Sequence, residues 1–193
     1  MKYNKIALGF LGLVSGTLSI YLLLKWDKVF NGLEGFFTPG LIFGVILACY
    51  FGIVRARNFT YLYRLPIFIA MSWFAYYVAV WIVINLGLDK NNISSSPSIP
   101  SMFFAGCVGA LILGFGFWAI KEWSEARVKY FVVLIILGGI LGLTFFLGEP
   151  ISQLVSIVGL KIEGGPSLMV LYIIWQTGIA FYLGYILDKA KEV

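Results

Sequence analysis

Six runs of apolar residues, each of about 20 residues, occupy most of this chain. A helix needs about 20 predominantly apolar residues to cross the hydrocarbon core of a bilayer. The runs cover approximately residues 5–24, 36–54, 63–87, 98–120, 129–147 and 167–187. Only 12% of all residues are charged, against about 25% in soluble domains. The pattern predicts an all-α integral membrane bundle of six transmembrane helices, organised as a single transmembrane domain over residues 1–193.

The charged side chains lie at the ends of these runs, and they divide unequally between the two sides of the membrane. The side that holds both termini carries ten of the 14 Lys and Arg residues, and the other side carries four. With the acidic residues included, the two sides have net charges of +6 and −1. Lys and Arg are concentrated in short cytoplasmic loops. We therefore expect a multi-pass protein of the inner or plasma membrane with both termini in the cytoplasm.

Two connections on the outer side have the apolar period of an amphipathic helix. In residues 25–37 and in residues 150–163, apolar side chains recur at positions i, i+3, i+4, i+7 and i+11, which lie on one helix face. We expect both segments to form short interfacial helices on the outer side. Such helices either cover a binding site as lids or only tether the neighbouring spans at headgroup level.

The spans contain no Asp, Glu, Lys or Arg away from their ends, and the chain contains no His. Ionisable groups within membrane spans are normally functional, as proton relays or ion sites, and acid–base catalysis depends on titratable side chains. We therefore expect no enzymatic activity, no cofactor and no metal site. Motifs for binding phosphate or nucleic acid are also missing from the sequence, so the expected partner is the lipid bilayer and not nucleic acid.

Neutral polar and aromatic side chains are concentrated in the outer half of the spans. On the third span, Tyr77, Trp81 and Asn85 follow one another at intervals of four residues, and on the sixth span Tyr172 and Gln176 are four residues apart. Residues at this interval share one helix face. In one interpretation, these five side chains line an outward-facing pocket for a small neutral or aromatic solute. In the other, the aromatic residues belong to the interfacial belt and Gln176 joins helices by hydrogen bonds.

Small residues recur at intervals of four on several spans. The pairs are Gly12/Gly16, Gly40/Gly44, Gly106/Ala110 and Gly138/Gly142. Faces of this kind allow two helix backbones to approach closely. They either pack the helices of a single bundle against one another or dock a partner subunit or a second copy, with the first span as the candidate face.

These features predict a small integral membrane transport or solute-binding subunit that takes its ligand from the outer side. In size, topology and outer segments, the whole chain resembles the substrate-binding subunits of energy-coupling-factor vitamin importers, which implies a six-helix solute-binding fold. Two other functions are open. One is an oligomeric pore-forming or membrane-disrupting effector joined through the glycine-rich faces, and the other is a non-enzymatic scaffold subunit of a membrane complex.

Overall fold

The computed structural model describes residues 4–26, 38–54, 64–87, 97–119, 128–157 and 166–189. The α-helices are α1 (Lys5–Trp26), α2 (Thr38–Val54), α3 (Leu65–Ile82), α4 (Ile99–Ala119), α5 (Val128–Gly142), α6 (Gly148–Ile157) and α7 (Pro166–Lys189). A π-helical turn, Val83–Gly87, extends α3, and a 3₁₀ turn, Leu143–Leu147, joins α5 to α6. The described residues contain no strand. The predicted all-α membrane bundle is confirmed.

Five helical stretches are long and apolar enough to cross a membrane. They are Lys5–Leu22, Leu65–Leu86, Ile99–Ala119, Val128–Leu154 and Pro166–Asp188. The remaining span, α2, has 17 residues, a length of about 26 Å at 1.5 Å per residue, which is at the lower limit for a transmembrane helix. A proline stands in the first turn of α2, α3, α4 and α7. Its fixed φ and missing N–H suit this position, where the N–H has no helical partner.

Neighbouring helices run antiparallel around the bundle. The backbone N of Asn4, just before α1, donates to the Tyr50 hydroxyl near the end of α2 at 3.1 Å. Lys5 Nζ lies 6.0 Å from the ring centroid of Tyr185, near the end of α7. Both ends of the described chain are therefore at the same end of the bundle, called here the Lys5 end. The opposite end, where α7 begins, is called the Pro166 end.

The six long helices form a closed ring in the order α1, α2, α3, α4, α5, α7. Glycines allow this close packing. A methyl group on Gly12 would lie 2.5 Å from a backbone carbonyl oxygen of α7, and one on Gly40 would lie 2.8 Å from a carbonyl oxygen of α3. Gly106 of α4 lies directly against Gly138 of α5. Because these small-residue faces are covered within the chain, a partner subunit would need a different surface.

Aromatic side chains fill the centre of the ring in its Lys5 half. Phe51 of α2 lies 5.6 Å from Phe68 of α3 and 5.7 Å from Phe117 of α4, measured between ring centroids. All three side chains are fully buried. Aromatic pairs at such distances stabilise a core beyond the effect of buried area alone. The Lys5 half of the bundle therefore has a packed interior.

The structure describes most of one predicted amphipathic segment and only two residues of the other. The segment predicted at residues 150–163 is observed as α6, which begins at Gly148 and follows the 3₁₀ turn without a loop. Gly148 allows the start of α6 to lie close to the start of α7, because a side chain there would overlap the backbone of Ser167. Residues 158–163 lie outside the described residues. So do residues 27–37 of the other segment, whose first two residues belong to α1.

Candidate ligand-binding cavity

A cavity of about 520 Å³ lies in the Pro166 half of the bundle. Its walls come from α3 and the π-helical turn, α4, the end of α5, the 3₁₀ turn, α6 and α7. Pro97, Glu149 and Pro166 line it at the Pro166 end, and Gly109 and Trp175 line its deepest part. Trp175 lies about 14 Å along α7 from Pro166, at 1.5 Å per residue. The cavity therefore reaches towards the middle of the bundle, next to the aromatic core.

Small residues on two neighbouring helices leave this space open. Ala75 and Ala79 of α3 line the cavity together with Ala105 and Gly109 of α4. None of them has a side chain beyond Cβ, so α3 and α4 cannot fill the centre of the ring. A methyl group added to Gly109 would lie 3.6 Å from the Trp175 ring, which is an ordinary contact distance. These small residues therefore contribute to the open space at the centre of the ring in this half of the bundle.

Trp175 is held in place at the deep end by three neighbours. Its Nε1 donates a hydrogen bond to the carbonyl oxygen of Gly138 on α5 at 3.2 Å. Its ring lies edge-on to Tyr76 of α3 at 5.4 Å and at 6.3 Å from Phe43 of α2. A buried indole N–H normally requires a partner, and here the partner orients the ring. The indole therefore forms a fixed aromatic wall of the cavity.

The lining of the cavity is mostly apolar. The rings of Tyr76 and Tyr172 form part of its wall, with centroids 6.0 Å apart. Glu149 is the one charged side chain among the described residues that line it. Glu149 is exposed at the rim, in the first turn of α6, where a carboxylate interacts favourably with the helix dipole. A largely apolar cavity with a few polar groups is the usual form of a small-molecule site.

The two predicted site residues on α7 are both buried in the bundle. Tyr172 lines the cavity, whereas Gln176, which is 0% exposed, does not line it. The Gln176 Nε2 donates to the carbonyl oxygen of Pro39 at 3.4 Å and to the hydroxyl of Ser19 at 3.5 Å. Gln176 therefore joins α7 to α1 and α2, as expected of a polar side chain that holds membrane helices together.

The three predicted site residues on α3 are directed away from the cavity. Tyr77 and Trp81 are 40% and 54% exposed, and Asn85 is also exposed. The Asn85 Nδ2 donates to the carbonyl oxygen of Trp81 at 2.9 Å, and the Tyr77 ring stacks on Trp73 at 6.2 Å. The structure thus does not bring these side chains together with Tyr172, and their assignment to a pocket stays a prediction. Their position is that of a lipid-facing aromatic surface.

Two cavity residues, Tyr76 and Trp175, are not among the five site residues predicted from the sequence. Tyr76 is adjacent to Tyr77 in the chain, but the two point about 100° apart on a helix of 3.6 residues per turn. The signal that separates them is the pair Ala75 and Ala79, which lies on the side of α3 that includes Tyr76. Small residues mark the faces of membrane helices that are turned towards other helices. The Ala75 and Ala79 pair therefore indicates that Tyr76 faces the interior of the bundle.

Polar groups from four helices meet beside the deep end of the cavity. This Gln176 cluster consists of Gln176, Tyr76, Ser15, Ser19 and the carbonyl group of Pro39. The Ser19 hydroxyl donates to the Ser15 carbonyl oxygen at 2.8 Å. The Tyr76 hydroxyl lies close to the Gln176 amide. Nevertheless, Tyr76 Oη, Gln176 Oε1 and Ser15 Oγ have no hydrogen-bond partner of good geometry among the described residues.

Several other hydroxyl groups within the spans bond to their own helix. Thr17 donates to the Leu13 carbonyl oxygen at 2.9 Å, and Thr177 donates to the Ile173 carbonyl oxygen at 2.6 Å. Bonds of this type satisfy a hydroxyl locally, without a second helix or a ligand. Unlike these hydroxyl groups, Ser15 Oγ and Tyr76 Oη of the Gln176 cluster make no hydrogen bond of good geometry within the described residues.

No family model matches the chain, and neither a curated protein nor a solved structure matches it. Within the described ranges, no group of three or more His, Cys, Asp or Glu residues could hold a metal ion. The cavity and the polar cluster beside it are therefore the features of this protein that indicate a function.

Proposed function

We propose that this protein is a small membrane transport or solute-binding subunit whose cavity holds a small neutral or aromatic solute. The observation that carries the proposal is the cavity of about 520 Å³ at one end of the bundle, a volume typical of small-molecule sites, which range from about 300 to 1,000 Å³. Tyr76, Tyr172 and Trp175 supply aromatic surface to it. A neutral ligand fits best, because a charged group would lose its hydration in this apolar lining, and the one charged side chain among the described lining residues, Glu149, lies at the rim.

The Pro166 end of the bundle faces the outside of the cell in this proposal. Its support is the charge distribution, because ten of the 14 Lys and Arg residues belong to the side of the chain termini, and cytoplasmic loops concentrate Lys and Arg. The cavity then opens outwards, with α6 at its rim. A solute would enter from the extracytoplasmic side.

A separate subunit supplies the energy for any transport. Within the described membrane-crossing stretches, the one carboxylate away from a helix end is Glu149, which is exposed at the cavity rim, and no buried carboxylate is present to couple solute movement to an ion gradient. The proposal is favoured over a pore joined through the glycine faces because Gly12, Gly40, Gly106 and Gly138 are all used within the chain. The energy-supplying subunit would contact an apolar outer surface of the bundle and not these faces.

Native mass spectrometry of the protein released from a mild detergent tests the proposal. Ala79 lines the cavity, so Ala79→Phe places a phenyl ring in it and reduces its volume, whereas the exposed Ala70 of the same helix provides the matched control Ala70→Phe. We expect the wild-type protein and Ala70→Phe to retain a co-purified small molecule, and Ala79→Phe to lose it. Both variants add the same side chain to α3. A difference between them therefore reports the position of the added ring and not its size.

Two results would contradict the proposal. One is a wild-type protein that carries no small molecule after growth in rich medium and that gains none from a panel of neutral aromatic solutes. The other is an equal amount of bound molecule in Ala79→Phe and Ala70→Phe, because a phenyl ring at position 79 would occupy part of the space that a ligand of the cavity needs. A defined oligomer with ion conductance in liposomes would instead favour the pore.

A further inference from the structure

The Gln176 cluster and the cavity share one residue, Tyr76. Its ring is part of the cavity wall, and its hydroxyl belongs to the cluster behind that wall. The ring of Tyr172 lies beside it, with the two centroids 6.0 Å apart and the ring planes inclined by 40°. These two rings separate the apolar space from the polar groups. Gln176 itself does not line the cavity, so a contact between a molecule in the cavity and Gln176 requires the Tyr76 ring to move.

The cluster offers unused hydrogen-bonding capacity. Gln176 is fixed by its Nε2, which donates to Pro39 and Ser19, so its Oε1 is left as an acceptor. The Tyr76 hydroxyl is both a donor and an acceptor. It lies against the Gln176 side chain, but neither Tyr76 Oη nor Gln176 Oε1 makes a hydrogen bond of good geometry among the described residues. Buried polar groups are nearly always paired in native proteins. A group that donates to Gln176 Oε1 and accepts from Tyr76 Oη would satisfy both atoms at once.

We propose that Tyr76 and Gln176 form a polar subsite at the deep end of the cavity, which binds a hydroxyl or amide group of the solute. The inference rests on the proposed function and narrows the ligand to a neutral amphiphile. Its aromatic or aliphatic body lies in the apolar cavity beside Trp175, and its single hydrogen-bonding group points towards the middle of the membrane. A hydroxyl or a carboxamide has the required donor and acceptor, whereas a hydrocarbon has neither.

A pair of probes of matched shape tests the subsite. 2-Naphthol and 2-methylnaphthalene differ only in a hydroxyl group that replaces a methyl group. Their binding is measured by equilibrium dialysis against the protein in lipid nanodiscs, with empty nanodiscs as the correction for partition into lipid. We expect 2-naphthol to bind at least about tenfold more tightly, since one hydrogen-bonding group that a site is built to pair is commonly worth a factor of ten or more.

Variants show which side chains cause the preference for 2-naphthol over 2-methylnaphthalene. Tyr76→Phe removes one partner, and Gln176→Met removes the other at a similar side-chain length. The control is Ser72→Ala, because the Ser72 hydroxyl is also fully buried on α3 but donates to the Gly40 carbonyl oxygen at 2.7 Å. We expect the preference to fall by at least about threefold in Tyr76→Phe and in Gln176→Met, and to persist in Ser72→Ala. If Gln176→Met does not fold, Tyr76→Phe decides the question.

The possible failures can be told apart. If both naphthalenes bind equally well to the wild-type protein and bind more weakly to the Ala79→Phe variant, the cavity is a solute site but the polar subsite is refuted. The subsite is also refuted if the preference persists in both Tyr76→Phe and Gln176→Met. If neither probe binds and no co-purified molecule is found, the proposed function itself fails.

Discussion

The contact between α4 and α5 provides the sharpest prediction about packing. A Cβ added to Gly106 would overlap the carbonyl oxygen of Gly138 and lie 2.9 Å from its carbonyl carbon and 3.1 Å from Gly139 Cα. All three neighbouring atoms belong to backbone, which cannot turn aside as a flexible side chain can. Gly106→Ala therefore forces the two helices apart along their contact.

The expected loss of stability follows from two opposing effects. Overpacking of a well-packed interior costs about 1–3 kcal/mol, and the upper part of this range applies because backbone meets backbone. Replacement of a helical glycine by alanine recovers about 0.5–1 kcal/mol, since alanine loses less conformational entropy on folding. We therefore expect Gly106→Ala to lower the free energy of unfolding by about 2 kcal/mol.

Gly109 of the same helix is the matched control. A methyl group there would have its nearest neighbour, the Trp175 ring, at 3.6 Å, so no helix has to move. Gly109→Ala should consequently keep or raise the free energy of unfolding, by up to about 1 kcal/mol. The assay is reversible unfolding in mixed micelles with increasing SDS, followed by circular dichroism. Equal changes in the two variants, or a stable Gly106→Ala, would show that α4 and α5 do not meet as described.

Three further predictions concern the cavity and the orientation. Trp175→Phe removes the indole hydrogen bond to α5 and should lower the free energy of unfolding by about 1 kcal/mol, whereas Trp118→Phe, at a position that is 64% exposed, should leave it unchanged in the same SDS assay. Glu149→Gln should change the binding of 2-naphthol by less than about twofold, since a rim carboxylate contributes little to a neutral ligand; a loss of binding would point to a cationic solute. With the two native cysteines replaced, a membrane-impermeant maleimide added to intact cells should label Ser98→Cys but not Lys129→Cys, and the reverse pattern would invert the topology.

The spans could be predicted from the sequence because the constraint on them is local. A bilayer admits only a continuous apolar helix of sufficient length, and charges and prolines are expelled to its ends. Pro39, Pro66, Pro100 and Pro166 all lie in first helical turns. The close approach of α6 to α7 was less predictable, because it brings Gly148 against Ser167, which is distant in the sequence.

The candidate site was only partly predictable. Tyr172 lines the cavity and Gln176 is buried beside it, whereas the aromatic row on α3 that includes Tyr77 and Trp81 is turned outwards. In a soluble helix, polarity separates the outer face from the inner face. In a membrane helix both faces are apolar, so the chemistry of Tyr76 and Tyr77 does not distinguish them.

The amino-acid sequence alone determined that this protein is a helical membrane bundle and where its six long helices lie, because both follow from the free energy of single segments in a lipid solvent. Tertiary structure decided which faces meet. The glycine faces are used within the chain, the alanines of α3 and α4 leave a cavity instead of a packed centre, and unpaired polar atoms of α1, α3 and α7 gather at its deep end. These features depend on the volumes and hydrogen-bonding groups of residues far apart in the chain, which no single span contains.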